Sequence, residues 1–326
     1  MKYDIQNDFF YLKLPNNEII KDEVDNMSFE EIIVPSRDLY SLSVRVFEAK
    51  KPRAVVKMTH GMEEHQSRYE EFATFLQENG YIVVTADMRG HGKSAPKLSH
   101  IADKDGHKLL MDDEESILNY IKQRYPNLPI IYFGHSMGTI IVRKFLQEHS
   151  QEYQKVVLSG YPNPQAVGGV GAALSACIRL FKGGAGYSKM LTNMVMGPFS
   201  KAVENAKTPI DWLSYNEENV KNYDRDPLCG EEFTIGSYNA LFHLVGDINK
   251  AKLYKNVKAE LPFYLISGED DPCTGGEKGR NDSINVLKKA GFKNIEVKTL
   301  AHMRHEILNE IDKRDVYNLI LEFIEK

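Results

Sequence analysis

Eight short runs rich in β-branched residues recur along this chain, and their spacing limits what it can fold into. They are EEIIV (30–34), SLSVRVF (41–47), AVVKMTH (54–60), YIVVTAD (81–87), PIIYFG (129–134), KVVLSG (155–160), PFYLISG (262–268) and NIEVKTL (294–300). The first two alternate in polarity around the turn-forming PSRDL and predict an antiparallel hairpin. From residue 54 onward the runs read as continuously apolar, as strands buried on both faces do. Helical patterns over 68–79, 112–124, 137–149, 281–290 and 312–324 separate most of them. Strands alternating with helices predict an α/β fold with a mostly parallel central sheet of about eight strands.

One interval breaks the rhythm. About a hundred residues without a strand run separate KVVLSG from PFYLISG. This predicts a mostly helical insertion over 161–254, set into a core formed by 1–160 and 255–326. Its first part, 165–201, holds Arg179, Lys182, Lys189 and Lys201, seven glycines and no Asp or Glu. Leu180, Phe181, Met190, Leu191, Met194, Val195 and Met196 give it an apolar character. Two readings stand: an ordinary helical subdomain with a flexible loop, or a lid that meets an amphiphilic substrate or a lipid surface.

Bulk composition excludes several classes. At 326 residues the chain can bury a large core, and a net charge of −5 gives no basic surplus for nucleic acid. The three cysteines, Cys177, Cys229 and Cys273, form no CxxC and no disulfide framework, which fits a reducing compartment. The first twenty residues lack a basic start followed by an apolar stretch, and no run of 18 apolar residues occurs. A soluble, cytoplasmic protein is expected.

Within PIIYFGHSMGTIIVRKF lies GHSMG, residues 134–138. Gly-x-Ser-x-Gly alone arises by chance in roughly one chain in ten of this length, so context has to carry the weight. Here a strand ends at Phe133, and Met137, Ile140, Ile141 and Phe145 follow at helical spacing. A sharp strand-to-helix turn lifts Ser136 above the sheet, with Gly134 and Gly138 where backbones pass too closely for a Cβ. The same turn sets the Met137 amide at a helix N-terminus, where it can stabilise an oxyanion.

A serine hydroxyl needs a base, and the base needs an orienting acid. Downstream, Asp270 and Asp271 follow the strand ending at Gly268, and His302 and His305 follow the last strand. The order Ser, acid, His at successive strand ends suits a hydrolytic triad. After AVVK, the loop MTHGMEEHQSRY begins His60-Gly61, and the Met62 amide can converge with that of Met137 on a carbonyl oxygen. Glu64 and His65 are read as hydrogen-bonding supports of that loop, and Arg89 and His91 as turn-forming residues. The histidine spacings show no HExxH and no paired cysteines, so no metal is expected.

Taken together these motifs resemble the monoacylglycerol lipase/lysophospholipase branch of the serine α/β-hydrolases, from about residue 28 to the end. HGMEEHQSRYEEFATFLQENGYIVVTADMRGHGKS (60–94) is similar to its oxyanion loop and Asp-x-Arg-Gly-His-Gly turn. DWLSYNEENVKNYDRDPLCG (211–230) resembles the cap of its bacterial lysophospholipase-type members, and SGEDDPC and RHEILNE its acid and histidine loops. The resemblance implies an α/β-hydrolase fold with a helical cap and a serine esterase without cofactor. By position it implies Ser136 as nucleophile, Asp271 as acid, His305 as base, and Met62 and Met137 as oxyanion amides. His60, Gly61, Gly134, His135, Gly138 and His302 are their supports, with His302 lining or buttressing the site. The expected substrate is a single-chain acyl ester, with transient membrane or micelle contact through the cap. A proline-iminopeptidase-like aminopeptidase is the alternative, with Glu217, Glu218, Glu231 or Glu232 holding a free amine.

Overall fold

A computed structural model describes residues 29–163 and 168–326. The reading of the N-terminal twenty residues therefore lies outside the described residues. All eight runs are strands: β1 (Glu30–Pro35), β2 (Ser41–Phe47), β3 (Ala54–Thr59), β4 (Tyr81–Ala86), β5 (Ile130–His135), β6 (Lys155–Ser159), β7 (Phe263–Gly268) and β8 (Ile295–Leu300). They form one sheet in the order β1-β2-β4-β3-β5-β6-β7-β8. β2 runs antiparallel to both β1 and β4, and every other pairing is parallel.

The helices before β6 are α1 (Glu70–Glu78), α2 (Gly106–Arg124) and α3 (Met137–His149). Between β6 and β7 come α4 (Gly168–Lys182), α5 (Lys189–Val195), α6 (Gly197–Lys201), α7 (Glu217–Arg225) and α8 (Ile235–Ile248), and α9 (Gly276–Ala290) and α10 (Lys313–Glu325) follow. One face of the sheet is covered by α1 and α10 through Phe72, Leu76, Val316 and Ile320. The other is covered by α2, α3 and α9 through Ile117, Ile121, Phe145 and Leu287. Parallel strands covered on both faces explain why β3 to β7 are buried along their whole length.

Two expectations need correction. β8 is not buried on both faces: Glu296 to Thr299 are exposed, because β8 ends the sheet order and its charged residues blunt that edge. The apolar reading of β3 also hides a charge. Lys57 donates to Glu114 of α2, and Tyr132 donates to the same carboxylate, all in the core.

The insertion contains no strand among the described residues, as its composition predicts. Within it α8 is buried nearly throughout and packs chiefly on α4, and also on α2 and α3. The segments over the sheet edge precede it.

Register decides what meets at that edge. Thr59 pairs with Gly134, and His135 with Ser159, so β3, β5 and β6 end level. Gly268 pairs with Leu300, so β7 and β8 end level too. Loops leaving the carboxyl ends of parallel strands therefore emerge side by side, where open α/β sheets form their crevice.

Candidate active site

The turn after β5 carries Ser136 at φ 51 and ψ −122, a conformation rare for a side-chain-bearing residue. Its amide donates to Ser159 O at 3.0 Å, which anchors the turn to β6. A Cβ on Gly138 would stand 2.2 Å from Thr59 O, so α3 can start this close to β3 only with glycine there. A Cβ on Gly134 would meet Val142 Cγ2 at 2.7 Å.

Asp271 and His305 meet although 34 residues separate them: His305 Nδ1 is 2.9 Å from Asp271 Oδ2, with both side chains almost fully buried. The other oxygen of Asp271 accepts from the Cys273 amide at 2.8 Å, which fixes the carboxylate. Asp270 points elsewhere and accepts from Tyr215 Oη at 3.0 Å near the surface. His305 Nε2 is buried and has no hydrogen-bond partner among the described residues. Burial alone would pull the pKa of His305 down. The Asp271 carboxylate, helped by Glu306 and Glu64, outweighs that and holds it above the ordinary histidine value.

Ser136 and His305 line one cavity of about 270 Å3, together with Met62 and Met137. Ile140, Leu241, Phe242, Met194 and Phe199 make much of its wall apolar. The loop after β3 packs directly on the serine, since a Cβ on Gly61 would lie 3.0 Å from Ser136 Cβ. Glu64 holds that loop by accepting from the Gly61 amide at 2.5 Å and from Tyr69 Oη at 2.7 Å. The Gly61 donor is thus occupied. The loop is also tied to the insertion, because Glu63 O accepts from Tyr223 Oη and the Gly230 amide, both at 2.9 Å.

His60 and His135 are buried. His60 Nε2 accepts from the Met88 amide at 3.0 Å, so Nδ1 donates to Gly61 O at 2.8 Å. Burial pulls the pKa of His60 to about 4 and that of His135 to about 3, the neighbouring His305 adding to the latter. The ring of His135 lies 4.8 Å from that of His305. His302 departs from the expectation. It is exposed, stands at φ 54 in the turn after β8, and does not line the cavity.

Sequence reasoning missed a buried ionic group beside His305. Arg68 donates to Glu306 Oε2 at 2.7 Å and to Glu64 Oε2 at 3.0 Å, and Asn219 of α7 donates to Glu306 at 2.7 Å. Burial would raise the Glu306 pKa, but Arg68 and Asn219 bring it to about 2. The local signal was the four-residue spacing of Glu64 and Arg68; nothing local marks Glu306 as their partner, 238 residues from Arg68.

Two side-chain groups have the chemistry for a soft divalent cation: Asp271, Cys273 and His305, and His65, Asp226 and Cys229. In each the histidine and aspartate are already directly bonded, His65 Nε2 to Asp226 Oδ2 at 2.8 Å. His305 of the first pair lines the cavity with Ser136, and the second pair ties the loop after β3 to the segment after α7.

Comparison with known proteins agrees with this architecture. The family model described as serine aminopeptidase, S33, matches residues 50–312. The monoacylglycerol lipase of Mycolicibacterium smegmatis is 26% identical over 277 residues, covering 84% of this chain and 88% of its own. Phospholipase YtpA of Bacillus subtilis is 23% identical over 286 residues, covering 86% and 98%. A thermostable carboxyl esterase from Bacillus coagulans superimposes with a TM-score of 0.83 at 27% identity, covering 91% of this chain and 98% of that one. With most of its length matched by the family model and its fold matched in space, the chain belongs to the serine aminopeptidase S33 family of α/β-hydrolases.

Proposed function

We propose that this chain hydrolyses single-chain acyl esters, of the monoacylglycerol or lysophospholipid type, through an acyl-enzyme on Ser136. One observation carries the reading: His305, held through Nδ1 by Asp271 and with its Nε2 left without a partner among the described residues, lines the same apolar cavity as Ser136. His305 accepts the serine proton as the hydroxyl attacks the ester carbonyl. Asp271 holds the tautomer and stabilises the imidazolium. The Met62 and Met137 amides receive the oxyanion, and His305 protonates the departing alcohol. Water then takes the alcohol's place and releases the acid by the same route.

The chain is a carboxylic ester hydrolase, a class supported by relatives named monoacylglycerol lipase, phospholipase and carboxyl esterase. The aminopeptidase alternative gains little. Of the four insertion carboxylates considered for it, none lines the cavity, and Glu64 and Glu306, which do, already hold Arg68. The insertion over 161–254 acts as a cap in this reading. Contact with membranes or micelles is supported by α4, which exposes Val170, Ala173, Cys177, Leu180 and Phe181 along one stripe, beside Lys182 and Lys189. No helix among the described residues is long and apolar enough to cross a membrane, and all three cysteines are free, in keeping with a cytoplasmic location.

The test is labelling by a fluorophosphonate probe and turnover of monoacylglycerols, a lysophosphatidylcholine and an aminoacyl anilide, by wild type and Ser136→Ala. Ser136-dependent labelling and ester turnover are expected. Turnover of the anilide alone would overturn the ester reading.

A further inference from the structure

Glu63 holds a backbone conformation that its side chain disfavours, at a depth that its charge disfavours. Its φ of 58 lies in the left-handed region that suits glycine. It is buried, and the basic residues that follow it in the chain are engaged elsewhere, His65 by Asp226 and Arg68 by Glu64 and Glu306. Glu63 does not line the cavity, and no step above uses its side chain. Strain of this kind persists beside a site only where the surroundings hold it, so what grips Glu63 says what the strain serves.

The grip comes from one stretch of the insertion. Glu63 O accepts from Tyr223 Oη of α7 and from the Gly230 amide, both at 2.9 Å. The Glu63 carboxyl meets the Phe233 amide, and the titratable groups around it are Glu231, Glu232, Tyr223 and Tyr238 of α8. The residue before Glu63 is Met62, whose amide has no acceptor among the described residues. On the far side of Met62, the Gly61 amide is fixed by Glu64 at 2.5 Å. The Met62 N–H therefore stands between two anchors, one inside its own loop and one supplied by residues 223–233.

From the left-handed Glu63, its carbonyl bonds to the insertion and its place next to Met62, we infer that Glu63 is a positioning residue that couples the seating of residues 223–233 to the aim of the Met62 amide at the oxyanion. The cap then completes the oxyanion site as well as walling the cavity, and a cap lifted off Glu63 leaves one donor out of place. Burial pushes the Glu63 pKa up to about 8, against the pull of the Phe233 amide, with Glu232 and Glu231 adding to the rise. The clamp thus closes on a neutral carboxyl. Its folded-state pKa being raised, the clamp favours the protonated form and loosens as pH climbs through about 8, where charge appears beside Glu231 and Glu232 in a dry site. The inference rests on the ester-hydrolase reading above and adds to it a residue that acts through Met62 without touching substrate.

The experiment measures kcat and KM for a short-chain monoacylglycerol across neutral and alkaline pH, with thermal melts and fluorophosphonate labelling, for wild type, Glu63→Gly and Glu63→Gln. Glu63→Gly suits the φ of 58 and should melt no lower than wild type. It should nonetheless lower kcat about ten- to hundred-fold with KM little changed, as partial loss of one oxyanion donor does. Glu63→Gln has the same shape, stays neutral and can accept from the same Phe233 amide, so its kcat at neutral pH should stay within about three-fold of wild type. Wild-type kcat should decline with a midpoint near pH 8, and Glu63→Gln should lack that limb. A structural role alone would instead lower the melting temperature and leave kcat of the folded protein intact. Wild-type kcat in Glu63→Gly, no rescue by Glu63→Gln, or an alkaline limb missing from wild type or kept by Glu63→Gln overturns the inference. Ser136-dependent turnover then leaves the esterase reading standing. Failure of wild type to cleave the ester, with Ser136 unlabelled by fluorophosphonate, overturns both.

Discussion

His305 Nδ1 lies 2.9 Å from Asp271 Oδ2, and the two side chains are 2% and 0% exposed. A dry pair of this kind sets the tautomer of the imidazole, so its loss is a catalytic loss before it is a structural one. Asp271→Asn is expected to lower kcat on the order of 10^4-fold with little change in KM, because the amide favours the wrong tautomer. Steady-state kinetics check this, with a thermal melt establishing that the variant is folded.

The same pair sets a pH limb. In the proposed mechanism His305 must be neutral to accept the Ser136 proton, and its pKa is held above the ordinary value, so kcat/KM should fall as pH drops through a midpoint above the usual histidine range. Glu306 is one of the charges that hold it up. Glu306→Gln should therefore move the acid limb to lower pH. A limb that stays in place in the variant would contradict this coupling.

Glu306 also links folding to acid. Its pKa in the folded state is about 2, below the ordinary 4.5. A depressed carboxyl contributes stability that is fully present above pH 4.5 and is lost as pH falls toward 2. The contribution is about 3 kcal/mol at neutral pH, a shift of this size being worth that much. Urea unfolding of wild type and Glu306→Gln should differ most near neutrality, with the two curves converging as pH approaches 2.

Two glycine-to-alanine changes should have opposite signs. At Gly138 the new Cβ would stand 2.2 Å from Thr59 O and 2.6 Å from His60 O, backbone atoms that cannot step aside. Gly138→Ala should cost about 3 kcal/mol by overpacking. Gly169 lies in α4, where an added methyl would have nothing within 4 Å, so Gly169→Ala should stabilise by up to about 1 kcal/mol. Chemical denaturation midpoints measure both.

Phe181 is 90% exposed and Leu180 81%, next to Lys182 at the end of α4. Their replacement by serine should weaken cosedimentation with anionic vesicles on the order of ten-fold, since each side chain is worth more than about 1 kcal/mol when buried in an apolar phase. Turnover of a water-soluble ester should be unaffected. Vesicle binding that is equally strong in the variant, or insensitive to salt, would remove α4 from the docking surface.

What could be read from the chain alone was whatever short-range physics dictates. Val156, Val157 and their counterparts in the other runs announce strands because β-branched side chains crowd a helix and fit a pleated sheet. Ser136 was legible because five contiguous residues between a strand and a helix determine the turn that presents it. Distinguishing Asp271 from Asp270, and His305 from His302, rested on resemblance, since each pair is equally polar and close in sequence. The fold separates them: one of each pair turns inward to a dry contact and the other faces water. The Arg68–Glu306 pair and the Lys57–Glu114 pair were visible only in three dimensions. They depend on which strand ends are brought level, and a pairing between residues 57 to 238 positions apart leaves no periodic trace in the chain. Local backbone preference and side-chain period wrote the elements and the serine turn into the sequence; burial and strand register, which act only once the sheet has closed, chose the partners.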